Sequence, residues 1–211
     1  MSPQRSNRMS LVEGTLRCLE RLPPEQVTAR AIAAESGANL GSITYHFGSK
    51  DNLVTAAVVE GLDRWLADIA ERLANLPAGS PEARLLHAAA IIESTGDRRR
   101  GLARNFVSAL AKAQHDGEVS QLLAEGFRRT RYDVAAVIGL GDDPAGAHAG
   151  ALVLAMFHGL LLQTMLDEDL GIHGAAMSAA LARLREALPE PSRSGADHAD
   201  GDVRHRSRSA Q

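Results

Sequence analysis

The sequence predicts an all-α protein, and three observations predict it. Alanine and leucine dominate the apolar positions of a chain that is 45% hydrophobic but only 3% aromatic, a composition suited to closely packed helices rather than a sheet sandwich. No run sustains the apolar–polar alternation of a strand. Breaks at Pro23-Pro24, Pro77 to Pro81 and Gly139 to Pro144 separate segments whose apolar residues recur at helical spacing.

The first helix is expected over Arg8 to Leu22, with Met9, Val12, Leu16 and Leu19 on one face. Thr28 is a plausible N-cap for the second, and Val27 and Ile32 have the spacing of a hydrophobic staple. Ile32 and Ala33 supply its inward face. Gly37 stands where the chain must reverse, because glycine takes positive φ without steric cost. Asn39 caps a third helix, Leu40 to Phe47, on which Ile43 and Phe47 share the inward face. Ser42, Thr44, Tyr45 and His46 are expected on the opposite, solvent face. Ser49 caps a fourth helix that reaches about Leu76 through Leu62, Trp65, Leu66, Ile69 and Leu73. Ser80-Pro81-Glu82 is a cap followed by a first-turn proline. Helices are then expected to about Ser94, over Leu102 to Gln114, Val119 to Ile138, Ala145 to Leu166 and Ala175 to Leu188, with Arg98-Arg99-Arg100 in a solvated loop. From Pro189 the chain holds almost nothing apolar, and residues 189–211 are expected to be disordered.

Three capped helices within one short stretch, the middle one with a polar outer face, are the pattern of a helix-turn-helix DNA reader. Charge supports this despite a net −3. Residues 1–50 carry six basic and four acidic side chains, whereas residues 51–188 carry 13 and 18, so the positive balance falls where phosphate contact needs it. The single cysteine, Cys18, excludes an internal disulfide framework and a multi-cysteine zinc site. No cofactor or metal is expected; His198, Asp200, Asp202 and His205 in the tail have no fixed geometry. No secretory signal precedes the first helix. Ala145 to Met165 is long and apolar, but acids flank it without a basic anchor, and it reads as an interface helix rather than a membrane span. The protein is expected in the cytoplasm.

The stretch GANLGSITYHFGSKDNL resembles the DNA-binding signature of TetR-type bacterial repressors, and the match covers Arg8 to about Leu53. The remainder is similar to that family only in length and helical character. The resemblance implies that Thr28 and Arg30 touch the DNA backbone and a base edge. It implies that Ser42 and Thr44 face bases, and that Tyr45, His46 and Lys50 contact phosphates; Asn39 belongs to the same DNA-facing set. Leu40 stands where many members carry a polar or basic residue, and Thr44 where tyrosine is common. Both departures bear on the target sequence. The resemblance also implies an effector pocket within roughly residues 80–180, whose ligand tilts the fourth helix. Phe106, Phe127, Met156, His158 and Gln163 are the candidates, being large or polar groups on Ala/Leu-rich helices.

The expected organisation is therefore a reader at 1–53, a ligand-binding and dimerisation domain at 54–188 and a tail at 189–211. The expected function is a ligand-responsive repressor that binds a palindromic operator as a homodimer, joined through the last two helices in a four-helix interface. An enzyme is the rival from another class, but there is no Gly-rich phosphate loop, paired metal motif or nucleophile elbow, and Ser94, Ser108 and Ser120 lack a suitable frame. A second rival keeps the fold without binding DNA; Leu40 and Thr44 are the features that favour it.

Overall fold

Side chains that satisfy free helix ends fix where most helices of this chain begin. In the computed structural model, which describes residues 3–188, Thr28 accepts from the Ala31 N–H, Asn39 from Ser42, Ser49 from Asn52, Ser80 from Ala83 and Asp143 from Gly146. Each cap is worth about 1 kcal/mol. Asp116, not singled out from the sequence, caps through Glu118 and Val119. The described residues form eight α-helices and no strand: α1 Pro3–Arg21, α2 Ala29–Ser36, α3 Leu40–Phe47, α4 Lys50–Ala74, α5 Pro81–Ala113, α6 Gly117–Ile138, α7 Pro144–Leu166 and α8 Gly174–Ala187. Single 3-10 turns stand at Pro24–Gln26 and Glu168–Leu170. Gly37, at φ 67°, supplies the left-handed residue that ends α2.

Two expectations are corrected. The helices expected to about Ser94 and from Leu102 are one helix, and Arg98-Arg99-Arg100 lies within α5 rather than in a loop. Gly96 and Gly101 weaken a helix by about 1 kcal/mol each without breaking it, and Gly101 has a packing reason to be there. A Cβ at that position would lie 2.1 Å from the Leu19 carbonyl oxygen of α1, so only glycine lets the two helices approach this closely. On α1 the inward face is Leu11, Val12, Thr15, Cys18 and Leu19, whereas Met9 is 50% exposed. The expectations for residues 189–211 lie outside the described residues.

The chain divides into two compact units, Met1–Gly174 and Ala175–Gln211. In the first, one apolar core gathers Leu11 and Leu19 of α1, Ile32 of α2, Ile43 of α3, Leu53 and Val58 of α4, Leu102 and Phe106 of α5, and Val119 and Leu123 of α6. The helices of the reader thus share a core with α5 and α6. A smaller core joins Ile69 and Leu73 of α4 to Ala88 of α5 and to Val134 and Ile138 of α6. α7 fully buries only Gly146, Ala147 and Gly150. In the second unit, Leu184 of α8 and Leu188 just beyond it are exposed.

Candidate nucleic-acid interface

Side chains follow one another by about 100° around an α-helix, so α3 has a definite outside. Leu40, Gly41, Thr44 and Tyr45 fall within one arc of about 140°, and all four are exposed. Ile43 is buried opposite them, and Phe47 is half-buried under the guanidinium of Arg8, 4.9 Å from its ring centroid. His46 is half-buried, its ring edge-on to Tyr45 with centroids 4.9 Å apart.

Ser42 departs from its expected place. It is 8% exposed, and its hydroxyl accepts from Asn7 Nδ2 of α1 at 3.1 Å and donates to Asn39 Oδ1 at 3.0 Å. Ser42 lies about 160° round the helix from both Leu40 and Thr44, and with its hydroxyl held by Asn7 and Asn39 it fastens α3 to α1 instead of facing outward. Asn39 is exposed, but its side-chain oxygen is occupied by the Ser42 N–H at 2.9 Å and the Ser42 hydroxyl. Thr28 and Arg30 are exposed at the start of α2. Among the described residues no acidic partner holds Arg30.

Lys50 opens α4, with its ammonium 2.8 Å from Asp51. Asp51 also bonds Lys112 near the end of α5. Partial burial opposes ionisation of Asp51, but the hydrogen bonds and charges of Lys112 and Lys50 outweigh it and hold the carboxyl below its ordinary range. Asn52, 8% exposed, donates to the Phe47 carbonyl at the end of α3 and to Glu118 at the start of α6. These contacts tie the junction of α3 and α4 to α5 and α6. Sequence reasoning passed over Asn52 and Lys112, since their partners are remote in the chain. The available signal was an amide at an inward position beside buried Leu53.

The proposed effector residues separate into those that meet and those that do not. Phe106, Phe127 and His158, from α5, α6 and α7, form a cluster with centroids 6.1, 5.0 and 5.4 Å apart. Met156 stands two residues before His158, which sends it toward another side of α7. Gln163 is exposed and donates to the Gly159 carbonyl of its own helix. The cluster is therefore three rings rather than five side chains.

Burial pushes the imidazolium of His158 out of favour, lowering its pKa from the ordinary 6.5. In the unfolded chain the ring protonates as pH falls through that value, while the folded ring resists. The unfolded state then binds more protons, so this residue costs stability on acidification and nothing at neutral pH. His158→Phe is expected to flatten the decline in stability between about pH 7 and pH 5, read from urea unfolding. An unchanged slope would show that the ring titrates normally.

Two family profiles match the chain. "Bacterial regulatory proteins, tetR family" covers residues 11–57, and "BetI-type transcriptional repressor, C-terminal" covers residues 81–189. The HTH-type transcriptional regulator BetI 2 of Chromohalobacter salexigens is 29% identical over 125 residues, 58% of this chain and 59% of that protein. The alignment thus spans about three fifths of this curated relative. Among solved structures, a transcriptional regulator from Rhodococcus sp. RHA1 superimposes with a TM-score of 0.65 at 18% identity, covering 87% of this chain and 97% of that one. A transcriptional regulator from Saccharomonospora viridis, in complex with choline, gives a TM-score of 0.52 at 20% identity over 85% and 93% of the two chains. At these identities the structural likeness shows the fold alone.

Proposed function

The chain belongs to the TetR family of bacterial regulatory proteins, and we propose that it is a ligand-responsive repressor that binds a palindromic operator in double-stranded DNA as a homodimer. The observation that carries this reading is α3, a capped helix with an exposed face of Leu40, Gly41, Thr44 and Tyr45, mounted on the core shared with α5 and α6. A recognition helix of this kind enters the major groove, and two of them about 34–36 Å apart fill successive turns on one side of the duplex. The family's proteins are transcriptional regulators rather than enzymes, and its place of work here is the cytoplasm. A gel shift against the DNA upstream of the chain's own gene tests the reading. No retained duplex at low salt would reject it in favour of a fold kept without DNA binding.

In this reading residues 1–53 are the DNA-binding part and residues 54–188 the effector and dimer part. Thr28, Tyr45, His46 and Lys50 hold phosphates, while Arg30 and Thr44 reach base edges. Asn39 contributes its amide N–H to the same surface, and Ser42 acts only through Asn39 and Asn7. Phosphate contacts position the protein, and base contacts specify the sequence. Lys50→Ala is therefore expected to weaken binding to all sequences alike and to reduce the salt slope by about one unit per site. Arg30→Ala is expected to flatten preference at one position of each half-site, where an Arg–guanine pair is worth about 1–3 kcal/mol. Binding selections at two salt concentrations check both. A changed preferred sequence for Lys50→Ala, or an intact one for Arg30→Ala, would reverse the assignment.

The aromatic cluster of Phe106, Phe127 and His158 is the effector element in this reading. Ring faces attract organic cations, and the depressed pKa keeps His158 uncharged near neutrality. The choline held by the Saccharomonospora viridis regulator makes a small quaternary ammonium compound the first effector to try. Ligand-driven shifts of α5 or α6 would reach the reader through Lys112–Asp51 and Glu118–Asn52. Such coupling needs different affinity in the DNA-bound and free arrangements. An effector should both raise the melting temperature and weaken operator binding; stabilisation without loss of DNA affinity would separate the cluster from regulation.

A further inference from the structure

We propose that Leu40 reads the 5-methyl group of a thymine in each operator half-site, so that the outer face of α3 recognises sequence chiefly by apolar contact. This rests on α3 being the recognition helix. Leu40 is its first residue, 49% exposed, and the opening residues of such a helix are those that meet base edges. The exposed arc of α3 carries no charged side chain and no amide; it offers an isobutyl group, a bare glycine, a threonine and a tyrosine. Bidentate reading of guanine requires Arg or Lys, and neither is present on α3. Bidentate reading of adenine requires an Asn or Gln oxygen and nitrogen together. Asn39 cannot supply that pair, because its oxygen already accepts from the Ser42 N–H and the Ser42 hydroxyl.

The base feature complementary to an aliphatic side chain in the major groove is the thymine methyl. Thr44 lies four residues on and shares the face of Leu40. Its methyl extends the apolar stripe and its hydroxyl can bond a neighbouring base edge. Leucine in place of a polar residue therefore changes which base is read rather than abolishing reading. Its exposure is what a contact to a separate molecule needs, and its truncation leaves the core of the protomer untouched.

The test begins with selection of duplexes by the full-length protein from a random pool, at one fixed salt concentration. A thymine is expected at one fixed position of each half-site. Each selected thymine is then replaced by deoxyuridine, which keeps the pairing edge and the O4 acceptor and lacks only the methyl. At that one position the wild type is expected to lose about fourfold in affinity per half-site, the change that burial of one methyl-sized group gives. Leu40→Ala is expected to bind thymine and deoxyuridine duplexes equally there and to relax selection at that position. Thr44→Ser, which keeps the hydroxyl, is expected to retain the penalty. Selected half-sites without thymine, a wild type indifferent to every deoxyuridine, or a Leu40→Ala variant that keeps the full penalty would each overturn the assignment to Leu40. A wild type that selects no duplex at all would overturn the repressor reading itself, and this inference with it.

Discussion

Gly101→Ala is expected to destabilise the protein by about 3 kcal/mol, the upper range for forcing an extra carbon into a packed core. The added Cβ would stand 2.1 Å from the Leu19 carbonyl oxygen and 3.1 Å from Glu20 Cα. Both are backbone atoms, so no side chain can rotate away to make room. α1 and α5 would have to separate, and with them the core that joins Leu11 and Leu19 to Leu102 and Phe106. The gain in helix propensity from glycine to alanine, about 1 kcal/mol, is too small to offset this. Gly117→Ala is the matched control, since no described residue lies within 4 Å of a Cβ at the first residue of α6. It is expected to be neutral or to stabilise by up to about 1 kcal/mol through the unfolded chain. Urea unfolding of both variants at one protein concentration checks the pair. A Gly101→Ala variant within 1 kcal/mol of the wild type would mean that α1 and α5 slide apart without cost.

Such a contact also marks the boundary of what the sequence discloses. The reader was legible because its signals are local: Thr28, Asn39 and Ser49 each cap a helix start within three residues of the donor, and Gly37 needs only its own backbone angle. The unbroken course of α5 was not legible. Gly96 and Gly101 look like a break until Gly101 is seen against Leu19, a residue far earlier in the chain. Ser42 misled for the same reason, because being short and polar does not say which side of a short helix meets α1; Asn7 decides it. The contacts of Asp51 and Asn52 with Lys112 and Glu118 join residues 61 and 66 positions apart and have no local signature. Of the effector candidates, helix periodicity separates Met156 from His158, but only the packing of three helices brings His158 to Phe106 and Phe127.

The leucines that α7 leaves in solvent lead to the second large effect. For the proposed dimer, Leu152→Glu is expected to leave the protomer folded, to give monomers of 22.4 kDa, and to lower operator affinity by more than about 100-fold, since avidity multiplies half-site affinities only while both are joined. α7 is long and apolar enough to cross a membrane, yet it is little buried within the protomer. Leu152, Ala155, Gly159, Leu162 and Leu166 recur at the three–four spacing of a helix–helix seam. Leu152 is 74% exposed and Leu166 85%, and burying each such side chain is worth about 1.5–3 kcal/mol. A two-fold dimer counts every one of them twice, and the small residues between them let two helices come close. A glutamate in that seam would bury an unpaired charge, at a cost of several kcal/mol. Gly159 gives an independent reading of the same surface: a Cβ there meets nothing within 4 Å among the described residues, so a loss of the proposed dimer on Gly159→Leu points to a neighbouring copy. Light scattering with circular dichroism checks both variants. A Leu152→Glu protein that keeps its helices and still scatters at twice the protomer mass would place the dimer contact somewhere other than α7.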